Sequence, residues 1–104
     1  MENKNFFDVW AAECPATQKA FFDFAGAIGE HGGLDAKTFQ LVYIGMQVFK
    51  GNVDSVCAHT GFAKAAGATR QEIIGVIMTS MMEVGINGVS DCLVAALEAY
   101  DKAE

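Results

Sequence analysis

Apolar residues recur along the chain at three- and four-residue intervals, and no stretch alternates apolar and polar with the period of a half-buried strand. Phe21, Phe22, Phe24, Ala25 and Ile28 form one such series, predicting a helix from about Pro15 to Glu30 that His31-Gly32-Gly33 ends. Asp35 is placed to cap a second helix running to about Lys50, with Leu41, Ile44, Val48 and either Met46 or Phe49 inward and Gly51 closing it. A third starts at Asn52 or Asp54 and ends at Gly67. Thr69-Arg70-Gln71-Glu72 has the form of a capping box, and Ile73, Ile74, Ile77, Met78 and Met81 follow it at helical spacing. Gly85 and Gly88 interrupt the pattern, after which Ser90 or Asp91 opens a last helix carrying Leu93, Val94, Ala96, Leu97 and Tyr100. The expected fold class is all-α, a compact bundle of about five to six helices forming a single domain over residues 1–104.

Composition adds a partner to this picture. With 104 residues there is room for one core, yet 52% of them are hydrophobic and only 19% charged. So apolar a small chain is expected to cover part of its surface with further copies of itself. Thirteen acidic against seven basic residues give a net charge of −6, and the basic ones are scattered singly, which excludes a nucleic-acid backbone as partner. Met1-Glu2-Asn3-Lys4-Asn5 leads straight into Phe6 and Phe7 without a basic apolar leader, and Gly, Gln, Lys or Glu interrupt the apolar stretches before the roughly 18 to 20 residues of a membrane span. The expectation is a soluble cytoplasmic protein that does not enter a membrane.

The candidate chemistry centres on Cys57-Ala58-His59. Positions two apart on a helix point roughly 200° away from each other, so these two side chains face nearly opposite sides. His59 shares its face with Val56, Ser55 and Asn52, three, four and seven residues earlier. The three cysteines, Cys14, Cys57 and Cys92, include no Cys-x-x-Cys and no second histidine at ligand spacing, so neither a disulfide framework nor a metal site is expected, and each reads as a small buried hydrophobe. His31 reads as a helix-end or loop residue. Glu83, late in an apolar helix, reads as exposed, although a buried carboxylate there would need a partner.

The run LDAKTFQLVYIGMQVFKGNVDSVCAHTGFAKAAGATRQEI, Leu34 to Ile73, resembles the core of the carboxymuconolactone decarboxylase and alkylhydroperoxidase D-like family, most specifically in HTGFAKAAGATRQEI from His59 onward. ALEAYDK, Ala96 to Lys102, fits as well, and Pro15 to Phe21 fits more loosely. The resemblance implies an alkylhydroperoxidase D-like helical fold, trimers or ring-like hexamers, and, at family level, a peroxiredoxin-type activity. That activity uses a glutamate, a Cys-x-x-Cys and a histidine: a thiolate attacks peroxide, a second thiol resolves the sulfenic acid, and Glu and His move protons. Laid along that pattern, this chain has Gln40 in place of the glutamate and Asn52 and Ser55 in place of the cysteines, and it keeps only His59. The implied site is a polar, uncharged face of Gln40, Asn52, Ser55 and His59 that binds a small molecule, with Ser55 within reach of His59.

Three functions follow from the resemblance. The first is a decarboxylase- or lyase-like enzyme with His59 as proton donor or acceptor and Gln40, Asn52 and Ser55 orienting the substrate. Holding a substrate carboxylate would call on Lys37, Lys50, Lys64 or Arg70, all of which read as solvated helix-surface charges. The second is a thiol peroxidase in which Cys57 makes the attack, resolved by Cys14 or Cys92. The third is a non-catalytic, oligomeric ligand-binding protein. No cofactor is implied by any of the three. The aromatic segment Phe6, Phe7 and Trp10 is either an intersubunit contact or packs within its own chain.

Overall fold

Side-chain caps mark the start of four of the five helices in the computed structural model, which describes residues 5–104. Among the described residues there are five helices and no strand: α1 (Phe6–Glu13), α2 (Pro15–His31), α3 (Ala36–Lys50), α4 (Val53–Ala65) and α5 (Arg70–Lys102). The backbone N–H groups of Asp8, Thr38 and Ser55 donate to the side-chain oxygens of Asn5, Asp35 and Asn52 at 2.9, 2.8 and 3.1 Å, each satisfying one donor that a helix start leaves free. The capping box is complete: Glu72 N–H donates to Thr69 Oγ1 at 3.0 Å, and Thr69 N–H to Glu72 Oε1 at 2.9 Å. The expected lack of a leader concerns residues 1–4, outside the described range.

The chain falls into two compact units, one running to Leu34 and one from Asp35 to Glu104. In the first, α1 and α2 meet at Cys14, with Pro15 at the N-terminus of α2, where its missing N–H is not needed. Trp10 lies 5.4 Å from Phe21 and 6.0 Å from Phe22 between ring centres, and Phe7 lies 6.1 Å from Phe22. Trp10 Nε1–H donates to Thr17 Oγ1 at 2.8 Å. The aromatic segment thus forms a helix and packs on its own unit. Nothing in either helix is fully buried, and Phe6, Phe7, Phe21, Phe22, Phe24 and Ile28 all remain exposed.

The second unit is a three-helix assembly of α3, α4 and α5 around Ile44, Val48, Val56, Ala63, Ile73, Ile77, Val89, Cys92 and Ala96. Removing each large aliphatic side chain from water contributes about 1.5–3 kcal/mol, and Cys92 serves here as the small hydrophobe expected of it. The inward face of α3 differs from expectation at one point. Met46 and Phe49 point outward, 51% and 61% exposed, while Gln47 is buried at 8%. With Ile44 and Val48 setting the register, Met46 is about 200° from Ile44, and Gln47 falls on the inner face instead.

The chain between Met81 and Leu93 also differs. Helix α5 has one break, at Gly85 (φ 74°, ψ −177°), and turns on directly from it, so Ser90 and Asp91 lie inside the helix rather than at its start. Gly88 is helical, and the break explains its identity: a Cβ there would sit 2.5 Å from Val84 Cβ. By length and composition Arg70–Lys102 is apolar enough to cross a membrane, with a mean hydropathy of 1.4 over its best 18 residues, contrary to the expectation that every apolar stretch is interrupted too early. Gly85 nevertheless divides it into two shorter rods, and its residues Ile73, Ile77, Val89, Cys92 and Ala96 build the core. The far end of α5 is tied down by Lys64, whose Nζ donates to the carbonyls of Tyr100 and Ala103 at 2.8 Å, and by Tyr100, whose hydroxyl donates to Ala68 O at 2.9 Å.

Candidate functional site

The chain reverses between α3 and α4 in two residues. Gly51 takes the left-handed conformation (φ 73°), which an L side chain disfavours, and Asn52 N–H donates back to Gln47 O at 3.0 Å. This reversal folds α4 back along α3 and places His59, two turns into α4, beside Gln40, near the start of α3. His59 Nδ1 and Gln40 Oε1 are 2.7 Å apart. An amide oxygen only accepts, so this contact is a hydrogen bond when Nδ1 carries the proton, which in the neutral ring leaves the lone pair on Nε2.

Aromatic rings flank the imidazole on two sides. Tyr43, one turn beyond Gln40, lies 4.2 Å from it between ring centres at a 33° tilt, and Phe62, three residues beyond His59, stands perpendicular at 5.2 Å. Phe62 is 55% exposed, whereas Gln40, Tyr43 and His59 are half-buried, so this wall of the site opens to solvent. Burial lowers the His59 pKa from its ordinary 6.5, because a desolvated imidazolium is disfavoured. The group is a neutral imidazole at physiological pH.

Of the residues expected in the site, Gln40 and His59 are brought together directly. Asn52 has its side-chain oxygen engaged in the cap of α4, and Ser55 lies one turn before His59 on the same face, while the hydrogen bond that His59 makes is to Gln40 rather than to Ser55. Cys57 is half-buried, and its thiol pKa is pushed up by burial, with the Asp54 and Glu98 carboxylates adding to the effect. Cys92 is buried and raised likewise, mainly by burial, with Asp91 and Cys57 contributing. A raised pKa leaves less thiolate, the form that attacks peroxide. Cys14 is exposed and lies in the first unit.

Three of the four cations considered for holding a carboxylate are engaged elsewhere. Lys37 pairs with Glu72 at 3.1 Å, Arg70 with Asp101 at 2.9 Å, and Lys64 with the end of α5. Lys50 lies ten residues from Gln40, about 15 Å along the axis of α3. His31 is exposed at the end of α2 beside Glu30, and Glu83 is exposed. Among the described residues no three His, Cys, Asp or Glu side chains gather where they could hold a metal ion.

Tyr43 and Phe62 were not anticipated as parts of this region. Helical arithmetic contained the signal for both, since Tyr43 is three residues from Gln40 and Phe62 three from His59.

A bundle of helices with one histidine held against a side chain of the preceding helix defines an all-α protein with a polar pair between α3 and α4. The family model for the carboxymuconolactone decarboxylase family matches residues 15–99. The chain belongs to that family. No match was found among curated proteins or among solved structures.

Proposed function

We propose that this member of the family is a small-molecule enzyme of decarboxylase- or lyase-like type, in which His59 accepts or donates a proton and Gln40 orients it. The observation that carries this reading is the imidazole anchored at Nδ1 by Gln40 at 2.7 Å, which leaves Nε2 as the nitrogen to meet a ligand, with burial favouring the neutral form. A base is most effective when it is uncharged at working pH and held in one orientation. Asn52 and Ser55 act in this reading from the same face of α4, two turns and one turn away respectively. The test is turnover of a panel of lactones, lactone acids and 3-oxo acids, with the neutral esters of the acids included; absence of any reaction, or equal rates for His59→Ala, would count against it.

A second reading, a ligand-binding protein without catalysis, is favoured by Gln40 itself, because an amide cannot exchange the proton that a glutamate in its place would. A thiol peroxidase using Cys57 is disfavoured by the raised thiol pKa, and trapping a Cys57 sulfenic acid after peroxide treatment is the result that would revive it. In each case the protein works as a soluble, cytoplasmic homo-oligomer, a trimer or hexamer. Val42, Met46 and Phe49 support this, because they are four and three residues apart on α3 and form an exposed apolar stripe. Light scattering on the wild type and on a Met46→Glu, Phe49→Glu double variant tests the assembly: a larger wild-type particle and a smaller variant are expected, and a monomeric wild type would end the idea.

A further inference from the structure

We propose that Gln40 locks His59 in the Nδ1–H tautomer, so that the position at Nε2 takes an uncharged hydroxyl donor, a phenol or enol, in preference to a carboxylate, whatever other groups the ligand carries. The inference rests on reading His59 as the centre of the site, but not on turnover. Its basis is a donor and acceptor count. With Nδ1–H donating to Gln40 Oε1 at 2.7 Å, the other nitrogen of the neutral imidazole, Nε2, is an acceptor only. A carboxylate is also an acceptor only, so the two would meet lone pair to lone pair. A hydroxyl group instead supplies the missing proton.

Two further features agree with this choice. Lys37, Lys64 and Arg70, which could neutralise a carboxylate, are held by Glu72, by the last carbonyls of α5 and by Asp101, and the chain as a whole carries a charge of −6 that repels anions. The flanks are aromatic and flat: Tyr43 lies 4.2 Å from the imidazole between ring centres, and the exposed Phe62 stands perpendicular to it. A planar ligand ring next to Phe62 gains aromatic contact while its hydroxyl reaches Nε2.

The experiment is a long-range nitrogen–proton NMR spectrum of the histidine side chains at pH 8, followed by titration with phenol and with benzoate. The exposed His31 serves as internal reference. For the wild type, His59 should show a protonated Nδ1 and an unprotonated Nε2, and phenol should move the Nε2 signal while benzoate does not. Gln40→Leu removes the anchor without adding charge. It should release the tautomer preference and weaken phenol binding by several-fold to about tenfold, as expected for one hydrogen bond. Gln40→Glu sets a carboxylate beside Nδ1, favours the imidazolium and turns Nε2 into a donor. Preference should then pass from phenol to benzoate.

A wild-type His59 protonated at Nε2, benzoate binding as tightly as phenol, or no phenol binding at millimolar concentration would each overturn the proposal. A protein that turns over nothing yet shows the locked tautomer and the phenol preference refutes the enzymatic reading and leaves this one standing. Turnover by a protein with the opposite tautomer does the reverse.

Discussion

Replacing Gly85 by alanine isolates the cost of a backbone conformation from the cost of packing. Gly85 sits at φ 74° and ψ −177°, a region that is essentially restricted to glycine. A Cβ added there meets nothing within 4 Å, so no steric clash with a neighbour contributes. The penalty is torsional, about 1–3 kcal/mol. Gly75, ten residues earlier in the same helix, is a control of opposite sign. It has ordinary helical geometry, it is exposed, and a Cβ there also meets nothing within 4 Å. Alanine at 75 should stabilise by about 0.5–1 kcal/mol, the usual gain over glycine inside a helix. The two variants should therefore differ by about 1.5–4 kcal/mol. Urea unfolding followed by circular dichroism at fixed protein concentration measures both, and a constant m-value shows that the denatured state has not changed. If Gly85→Ala were neutral or stabilising, α5 would run unbroken through residue 85, and the account of its break and of Gly88 would be wrong.

Further outcomes follow from the titrating groups. Because burial lowers the His59 pKa below 6.5, the unfolded chain takes up this proton more readily than the folded one. The stabilisation by neutral His59 is thus fully present above pH 6.5 and is lost as pH falls from there to the depressed native value. Acidification from pH 7 to 5 should therefore destabilise the wild type more steeply than His59→Gln, and equal slopes in a urea titration would contradict the burial argument. Alkylation of the folded protein by iodoacetamide at pH 7.5, read by peptide mass spectrometry, should modify exposed Cys14 first, half-buried Cys57 more slowly and buried Cys92 last; Cys57 reacting before Cys14 would point to an activated thiol.

How much of this could be read from the sequence depended on the range of the interactions. Asp35 and Thr69 were legible as caps, and Asn52 as one of two with Asp54, because each makes a bond to a backbone N–H three residues away. Gly85 was legible as a break, but a single residue with positive φ turned out to suffice, and the next helix starts at once instead of at Ser90. Gly88 resembles a second break only in one dimension; its real constraint is the Val84 side chain. On α3, an apolarity pattern favours Phe49 over Gln47 for the core, and only the packing of α4 and α5 against α3 reverses that order. The short α1 was missed because its stability comes from Trp10 and Phe7 against Phe21 and Phe22, contacts that periodicity does not report. Within the site, the separation of Cys57 from His59 came from helical rotation, whereas the partnership of Gln40 and His59, 19 residues apart, came from the family pattern. The aromatic flanks needed the fold.

The proposed chemistry of this chain belongs to His59 and not to a thiol. Its most direct test is a side-by-side assay of wild type, His59→Ala and Cys57→Ala on the lactone, lactone-acid, 3-oxo-acid and ester panel, with the folded state of each variant checked by circular dichroism. Loss of turnover in His59→Ala with turnover kept in Cys57→Ala is the expected result. Turnover that survives removal of the imidazole and disappears with the thiol would contradict the claim.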